Sequence, residues 1–391
     1  PLMNQPEFKN RGYDAEITFV DGQLGRLVNW LDESGVRDNT VVILVADHGE
    51  SLGEHQEQTH GMFIYNSTMK VPMIINCPGK IGRHLEIRDH LAGLVDLRDT
   101  ISDMLGFSPT APTDGQSLLQ PVNADRRIYM ETESPLNMAG FSPLHGLQSH
   151  SEKFIKAPTS EFYDLENDPQ EINNLYEIRI ADMAPLSSQL KSIMGGASNS
   201  ATDRHITSEE AERLRSLGYV HSGSRDVSDQ LPDPKDMIEI FNAGMKAESL
   251  YSQKKYTEAA ELAQRVISRC EDCTSAIRVL AFSKIRQGKT EEAVTILQEA
   301  VDRTGDLFLV RSLAQARIIH KDFPGALKTL ELFQALDPHD GRVFILRGDV
   351  FDQQGLKEKA LEQFRKALEL DENRVGIRAL QRIQALESRK K

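Results

Sequence analysis

A chain of 391 residues, 39% of them hydrophobic and 27% charged, has room for two or three globular domains. Its formal net charge of −13 argues against nucleic acid as a ligand, because nucleic-acid-binding surfaces are normally basic. No apolar stretch approaches the roughly 20 residues that a membrane-spanning helix needs. The three cysteines are too few for a disulfide framework.

The first predicted elements are a helix and a buried strand. Apolar side chains recur at helical spacing in residues 13–34, and Gly35 follows at the position of a C-cap. The run 40–46 is continuously apolar and rich in β-branched residues, which is typical of a strand in a parallel sheet. A helix, a short loop and a buried strand make half of a βαβ unit. Because the preceding strand lies outside the sequence, we expect residues 1–195 to be the C-terminal portion of an α/β domain.

Shorter elements follow up to residue 231. We predict strands at 71–75, 127–132 and 153–155, helices at 91–105 and 180–194, and a turn-rich stretch at 162–168. Glycines stop the two helices, at Gly106 and at the pair Gly195-Gly196. Residues 196–231 are rich in Ser, Gly, Asp and Thr, which favours a linker with one short helical piece at 208–217.

The remaining residues, 232–391, contain an internal repeat. Alanines recur at intervals of 33, 33 and 34 residues, at Ala260, Ala293, Ala326 and Ala360. Small residues lie twelve positions before three of these alanines, at Ala281, Ala314 and Gly348. The period resembles the tetratricopeptide repeat, a helix–turn–helix unit. We therefore predict about four repeats and a capping helix at 373–388, stacked into an all-α superhelix with a concave face. A plain helical bundle is the alternative.

Two of the cysteines stand at C-x-x-C spacing inside this repeat region. Two thiols alone cannot complete a four-ligand zinc site. Cys270 and Cys273 are therefore predicted to be small residues at a helix–turn boundary, in preference to a redox pair.

The polar loop after the first strand holds the candidate site. Asp47 and His48 follow the strand directly, and further acidic or imidazole side chains come soon after, among them Glu50, Glu54, His55 and His60. In open α/β sheets, ligands bind beyond the carboxyl ends of the strands. Clustered carboxylates and imidazoles are also the usual material of metal sites. A polar surface loop is the alternative interpretation.

Residues 13–79 resemble the sulfatase branch of the alkaline phosphatase superfamily. The segments that carry the resemblance are YDAEITFVDGQLGRL, DNTVVILVADHGESLGEH and THGMFIYNSTMKVPMIINCPG, with LVDLRDTISDMLG, DGQSLL and EFYDLENDPQEINNL later in the chain. ERLRSLGYV at 212–220 resembles the tail that joins such a domain to tetratricopeptide repeats. The resemblance implies a partial alkaline-phosphatase-like sandwich with a mostly parallel sheet and flanking helices.

The resemblance also implies roles for the loop residues. Asp47 and His48 match the family's metal ligands, which usually hold calcium; a histidine at the second position leaves Zn²⁺ or Mn²⁺ possible. His60 matches a residue that contacts the anionic oxygens of the ester or protonates the leaving alcohol. A third metal ligand or a plain loop residue are alternatives for His60. His55 is a weaker, substrate-side assignment.

Three other residues near the loop are predicted to be structural. Glu54 is interpreted as a loop residue, Lys70 as a solvated charge at a strand edge, and Cys77 as a packing residue.

One part of the family pattern is missing from the sequence. Sulfatases attack sulfur through a formylglycine made from the first residue of a C/S-x-P-S-R motif, and this chain contains no such motif. The resemblance implies that the nucleophile and the remaining ligands belong to a missing N-terminal part. We therefore expect this chain alone to be inactive and to bind a metal weakly.

The predicted function is metal-dependent hydrolysis of a sulfate ester, with repeats that bind a partner protein or peptide. A phosphodiesterase, a phosphonate hydrolase or a phosphoethanolamine transferase of the same superfamily is an alternative, and so is a non-catalytic repeat scaffold. Members of the family are commonly exported or membrane-anchored, but the sequence itself does not predict a compartment.

Overall fold

The computed structural model describes residues 12–81, 90–107, 111–121, 123, 125–200, 231–370 and 374–388. They divide into two compact units. The first comprises Pro1–Gly49, Asn66–Ile128 and Ser149–Ser151, and the second comprises Glu50–Tyr65, Tyr129–Gln148 and Glu152–Lys391. Most of the predicted linker lies outside the described residues, as do the helical piece at 208–217 and the segment 212–220. The predicted domain boundaries at 195 and 232 stay a prediction.

The first unit begins with the predicted helix, α1 (Gly12–Glu33). Gly35 ends it with a φ of 70°, and the amide of Val36 donates to the carbonyl of Leu31. A positive φ is strained for residues with a Cβ, which explains the glycine. Of the apolar side chains on α1, only Ala15 and Leu31 are buried. The helical spacing thus predicted the helix but not the face that is covered in this chain.

The first unit has a two-stranded sheet made of β1 (Val42–Val45) and β2 (Met73–Asn76). The strands run antiparallel, with Val42 opposite Asn76 and Val45 opposite Met73. The prediction of a mostly parallel sheet is therefore wrong for the described strands. A continuous apolar run indicates that both faces of a strand are covered, but the direction of its partner depends on how the chain returns.

The remaining helices of the first unit are short: α2 (Asn66–Met69), α3 (Pro78–Ile81) and α4 (Leu97–Leu105). A 3₁₀ turn at Leu94–Asp96 precedes α4, so the helix starts later than predicted. The wholly buried carboxylate of Asp96 explains this start, because it accepts from the amides of Gly93 and Gln116 and pairs with Arg126. Gly106 ends α4 in the left-handed conformation, as predicted.

The second unit contains a four-stranded sheet in the order β3 (Ile128–Thr132), β4 (Leu144–Gln148), β5 (Glu152–Lys156) and β6 (Glu161–Asp164). The pairs β4–β5 and β5–β6 are antiparallel, as short connections between neighbouring strands require. The helix α5 (Ser134–Ala139) lies between β3 and β4 in the chain, and α6 (Met183–Ser200) packs on the sheet through its buried Leu190. The helix continues past the predicted stop at Gly195.

Two of these strands, β4 and β6, were not predicted. Gly146 interrupts the apolar pattern of β4, and a Cβ there would lie 3.0 Å from both Ile64 Cδ1 and the Phe154 carbonyl oxygen. In β6 a charged residue, Glu161, is buried, whereas a charged residue in a short polar stretch is typical of a loop. Both irregularities come from contacts with distant segments, which a local pattern does not contain.

The rest of the second unit is a series of helix pairs, as predicted. The helices are α7 (Pro234–Ser252), α8 (Tyr256–Ile267), α9 (Thr274–Arg286), α10 (Thr290–Thr304), α11 (Leu307–His320), α12 (Phe323–Leu336), α13 (Arg342–Gln353), α14 (Lys357–Leu370) and α15 (Arg374–Ser388). Consecutive helices contact each other, and so do the first helices of neighbouring pairs. Four pairs and a final capping helix match the four predicted repeats.

The repeated small residues lie in the helix–helix contacts. All four repeated alanines are buried, and so are Ala281 and Ala314 at the second set of positions. The third member of that set, Gly348, lies against the ring of Phe364, where a Cβ would come within 2.3 Å of Cε1. The period of the sequence therefore reflects close crossings between α-helices.

The prediction for the paired cysteines is wrong. Cys270 and Cys273 form a disulfide at the turn between α8 and α9, with their Cα atoms 5.5 Å apart. Cysteine count alone argued against a disulfide framework, but a single local bridge needs only two thiols at a distance that this turn provides. Cys77, in the first unit, is free and buried, as predicted.

The sheet of the second unit is joined to the first repeat by buried polar contacts. Asp233 caps α7 by accepting from the amide of Lys235, and it also accepts from the amide of Thr159 at 2.9 Å. The ammonium group of Lys235 donates to Glu161 at 2.9 Å. Glu161 accepts from the hydroxyls of Tyr65 and Tyr163 as well, both at 2.6 Å. The sheet and α7 therefore share one core.

Candidate functional site

Asp47 and His48 lie in the first unit, two and three residues after the end of β1. The amide of His48 donates to Oδ1 of Asp47 at 3.0 Å, and the Asp47 side chain is 80% exposed. His48 Nδ1 lies 2.8 Å from the carbonyl oxygen of Gly49, which can only accept. Nδ1 therefore donates to this carbonyl, and a metal ligand on this side chain would be Nε2. The pair fits a divalent cation in the chemistry of its donor atoms.

Gly49 holds this turn against α2. Its amide donates to the carbonyl of Thr68 at 2.6 Å, and a Cβ on Gly49 would lie 2.6 Å from the carbonyl oxygen of Ser67. Only glycine allows the backbone to approach so closely. The third residue of the DHG sequence thus fixes the direction in which the first two emerge from β1.

His60 lies in the second unit, where it pairs with Glu50. Nδ1 of His60 and Oε2 of Glu50 are 2.9 Å apart, with the imidazole about half exposed. A carboxylate only accepts, so Nδ1 donates to it and Nε2 is the ring nitrogen that faces other groups. This arrangement suits both predicted roles of His60, an anion contact and a proton donor.

The backbone on both sides of His60 is fixed. The carbonyl of Thr59 accepts from the amide of Ser51 at 2.8 Å, and the carbonyl of Gly61 accepts from the hydroxyl of Thr132 at 2.6 Å. The four residues that follow, 62–65, are all buried in the core of the second unit. The imidazole is therefore mounted on a rigid segment.

Glu57 is a buried acid in this loop that the sequence analysis missed. Its side chain is 1% exposed, and its Oε1 accepts from the amide of Met62 at 2.7 Å. Burial raises its pKa to about 7, against the lowering effect of the backbone amides, and the nearby Glu50 raises it further. The sequence around it is uniformly polar, so nothing in the local pattern indicates a buried carboxyl group.

The other predicted loop residues make structural contacts. The ring of His55 stacks on Tyr65 with 3.7 Å between centroids, and its Nε2 lies 3.1 Å from the carbonyl oxygen of Gln170. Glu54 accepts from the amide of Leu52 at 2.6 Å, which lowers its pKa. Glu54 is thus a loop residue, as predicted, and Lys70 is exposed. The substrate-side role of His55 stays a prediction.

A second group of ionisable side chains lies on the sheet of the second unit. Glu131, Glu133 and His145 each offer a ligand atom, and these atoms lie within 4.8 Å of one another. The hydroxyl of Tyr129 bonds Glu131 and lies 2.9 Å from Nδ1 of His145. Burial of Tyr129 and its bond to Glu131 raise the pKa of the phenol. The described residues thus contain groups that can hold a divalent ion, but exposed acids of this kind are common without one.

Comparison with known proteins identifies the two parts of the chain. Residues 9–107, which contain Asp47, His48 and His60, match the family model described as Sulfatase, and residues 341–374 match the model described as Tetratricopeptide repeat.

Relatives and a solved structure are similar to the first part. An arylsulfatase of Clostridium perfringens is 30% identical over 184 residues, which are 44% of this chain and 37% of the relative. A choline-sulfatase of Rhizobium meliloti is 27% identical over 63% of this chain and 49% of its own length. The solved structure of BT4656 with its substrate D-glucosamine-2-N,6-O-disulfate is 24% identical, covers 49% of this chain and 41% of its own, and has a TM-score of 0.38.

The chain spans less than half the length of these relatives. Among the helices of the described residues, none is long and apolar enough to cross a membrane. The chain therefore combines sulfatase-related sequence, which includes the DHG turn and His60, with a series of tetratricopeptide repeats.

Proposed function

We propose that the protein hydrolyses sulfate esters with the help of a divalent cation and that its repeats bind a partner protein. The observation that carries the proposal is the Sulfatase match of residues 9–107, within which the DHG turn presents a carboxylate and an imidazole whose Nδ1 donates to the carbonyl of Gly49. The relatives named arylsulfatase and choline-sulfatase support the same reaction class.

In this proposal the residues of the loop have separate roles. Asp47 and His48 hold the cation through a carboxylate oxygen and Nε2, and further ligands complete its coordination. A bound divalent cation would screen the negative charge of the ester. His60 donates a hydrogen bond from Nδ1 to Glu50. Its other face contacts the anionic oxygens of the ester or gives a proton to the leaving alcohol. His55 lies on the substrate side of the loop.

The identity of the cation depends on the donor set. Carboxylate oxygens suit Ca²⁺, which takes six to eight oxygen ligands, whereas an imidazole nitrogen suits Zn²⁺ or Mn²⁺ better. We propose Ca²⁺, on the resemblance to sulfatases, with Zn²⁺ and Mn²⁺ as the competing ions. The two described ligands of the turn are fewer than any of these ions needs, so we expect this chain to bind the cation weakly.

Calorimetric titration of the chain with Ca²⁺, Zn²⁺ and Mn²⁺ tests the ligands. We expect Asp47→Asn and His48→Gln each to weaken binding by at least 10-fold, because each removes one ligand atom. Asp21→Asn and His150→Gln are matched controls, since both residues are exposed and lie in the same unit. Equal affinities for the four variants would contradict the assignment.

Turnover is tested in the full-length protein. Asp47→Ala should abolish hydrolysis of 4-nitrophenyl sulfate while the circular dichroism of the repeats stays unchanged. Retained turnover would show that the site is misplaced, and a full-length protein without divalent metal by elemental analysis would exclude the enzyme. Hydrolysis of bis(4-nitrophenyl) phosphate in place of the sulfate would favour a phosphodiesterase. Absence of both activities would favour a non-catalytic repeat scaffold.

A further inference from the structure

The disulfide between Cys270 and Cys273 is a chemical group that the proposed hydrolysis does not use. It closes the turn between α8 and α9, where the amide of Cys273 donates to the carbonyl of Cys270 at 3.2 Å. A bridge across so short a loop restricts the unfolded chain little, so it contributes little to stability. Two cysteines separated by two residues are also the usual spacing of redox-active pairs. Thiol–disulfide chemistry is therefore a better explanation of this pair than cross-linking.

The two cysteines differ in exposure and in their position relative to α9. Cys270 is half-buried, whereas Cys273 is buried, with 7% of its surface exposed. An external thiolate needs access to the sulfur that it attacks, so Cys270 is the attacked residue. Cys273 occupies the N-cap position of α9, and in this described part of the chain its sulfur makes no capping hydrogen bond. A thiolate at that position accepts from the free amides of the first turn, which makes Cys273 the better leaving group.

Arg303, on α10, holds the two acidic residues that lie between the cysteines. Its Nε donates to Oδ1 of Asp272 at 2.6 Å, and its Nη2 donates to the carbonyl of Glu271 at 2.8 Å. Nη1 lies 3.2 Å from the carboxylate of Glu271. The guanidinium thus balances two negative charges that would oppose the formation of a thiolate beside them. None of these contacts involves a sulfur, so the turn keeps its shape on reduction and the two thiols stay close enough to re-form the bridge.

We propose that Cys270 and Cys273 form a thiol–disulfide exchange site whose co-substrate is an external dithiol. One thiolate of the dithiol attacks the sulfur of Cys270, the bond between the two cysteines breaks, and its electron pair leaves on Cys273. The second thiolate of the dithiol attacks its own sulfur in the mixed disulfide, and Cys270 leaves. Two electrons pass to the chain, the dithiol becomes a disulfide, and its two protons end on the two cysteines.

A monothiol is a poor co-substrate for the same site. After a monothiol joins Cys270, the thiolate of Cys273 stays within the turn and displaces it again, which restores the bridge. A dithiol avoids this return, because its own second thiol is equally close. The inference goes beyond the proposed hydrolysis, since exchange needs neither a cation nor a sulfate ester. The four residues of the turn also lie outside the DHG turn and the loop of His60.

The rate at which dithiothreitol reduces the full chain tests the inference. Cys77→Ser removes the free cysteine, so that alkylation and mass spectrometry count only Cys270 and Cys273. We expect reduction of the native chain to be about 10-fold faster than reduction of the same chain unfolded in urea, because the fold activates the leaving thiolate. Circular dichroism should show that the helices are retained, and oxidised glutathione should restore the bridge. Equal or slower reduction of the native chain would assign the bridge a structural role and overturn the proposal.

Single-cysteine variants identify the attacked sulfur. With Cys77→Ser in both chains, the free Cys270 of Cys273→Ser should react with dithiodipyridine, a neutral aromatic disulfide, about 10-fold faster than the free Cys273 of Cys270→Ser. The difference is expected because Cys270 is half-buried and Cys273 is buried. Equal rates, or the reverse order, would contradict the proposed order of attack.

Variants of Arg303 test the surroundings of the bridge. Arg303→Gln leaves the two acids unbalanced, so reduction of the native chain by dithiothreitol should slow by about 3-fold or more, and added NaCl should restore part of the rate. Arg303→Lys keeps the charge and should retain most of the rate. Arg365→Gln is the matched control, because it removes an exposed positive charge from α14, two repeats away, and should change the rate by less than about 2-fold. Equal rates for Arg303→Gln and Arg365→Gln would contradict the role of Arg303.

Discussion

The contact between Gly348 and Phe364 permits a sharp test of how the repeats pack. Gly348 lies inside α13, and a Cβ built on it would come within 2.3, 2.6 and 2.7 Å of three atoms of the Phe364 ring. The ring is fully buried in a cluster that includes Ile345, Ala360 and Val375, so it has little room to move aside. At the equivalent crossing one repeat earlier, Ala314 and Leu330 occupy the two positions. The larger Phe364 thus faces the smaller Gly348, whereas the smaller Leu330 faces the larger Ala314.

The expected effect of Gly348→Ala combines two opposing contributions. Replacing a glycine by alanine in a helix interior stabilises by about 1 kcal/mol. Overpacking a tight core typically costs about 1–3 kcal/mol, and contacts with three ring atoms place this site towards the upper end. We therefore expect Gly348→Ala to lower the free energy of unfolding by about 1–2 kcal/mol.

The double variant decides whether the ring is the cause. Phe364→Leu alone should cost about 1–2 kcal/mol through the lost buried volume. With both changes, the crossing takes the residue types of Ala314 and Leu330. The double variant should then be about 2 kcal/mol more stable than the sum of the single effects predicts, which is the coupling energy of the pair.

The measurement is urea unfolding of the full chain, followed by circular dichroism at 222 nm. The single tryptophan, Trp30, lies on α1 in the first unit. The urea dependence of its fluorescence should therefore be the same in all variants. Gly244→Ala is the matched control, because α7 leaves space there, with Ser275 Oγ at 3.8 Å as the nearest atom. It should stabilise by about 0.5–1 kcal/mol. If Gly348→Ala stabilised by the same amount, the packing argument would be refuted.

Two further predictions concern buried charges in the second unit. Because the pKa of Glu57 is raised to about 7, the folded state binds more protons than the unfolded state between about pH 4.5 and 7, so stability falls by roughly 3 kcal/mol as pH rises through that range. Glu57→Gln should remove this fall in urea titrations at pH 5 and pH 8, and an unchanged pH dependence would exclude a buried titrating carboxyl group. Lys153→Met should destabilise by about 3–5 kcal/mol, because it strands the buried Glu171, 2.5 Å from the ammonium group. Lys153→Met combined with Glu171→Met should recover most of the loss, and a double variant no better than the single one would contradict the pairing.

The repeats could be predicted from the sequence because their packing is local and recurs. Each helix pair buries an alanine at the same position, so the period shows in the chain itself. The sheets could not be predicted to the same depth. The direction of β2 against β1 depends on the path of the returning chain, and β4 depends on the fit of Gly146 beneath Ile64 and Phe154. Contacts between residues far apart in the chain produce no periodic pattern in the sequence.

The candidate site divides in the same way. Asp47, His48 and His60 could be found because a short motif after a buried strand carries them. Their supporting contacts could not be found, because they join residues far apart in the chain. The hydroxyl of Thr132 holds the carbonyl of Gly61, and Lys153 donates to the carbonyl of Ile64. Glu57 was missed for the same reason, since its burial depends on the core formed by residues 62–65.

The first helix of the repeats, α7, makes two contacts with the loop that carries His60. The side-chain amide of Asn242 on α7 donates to the carbonyl of Gln56, four residues before His60. Lys235, near the start of α7, pairs with Glu161, whose other oxygen accepts from the hydroxyl of Tyr65. Two separate contacts therefore connect the first repeat to the His60 loop on either side of the imidazole. Because the loop and α7 belong to one compact unit, the helix that starts the repeats also supports the backbone that carries His60.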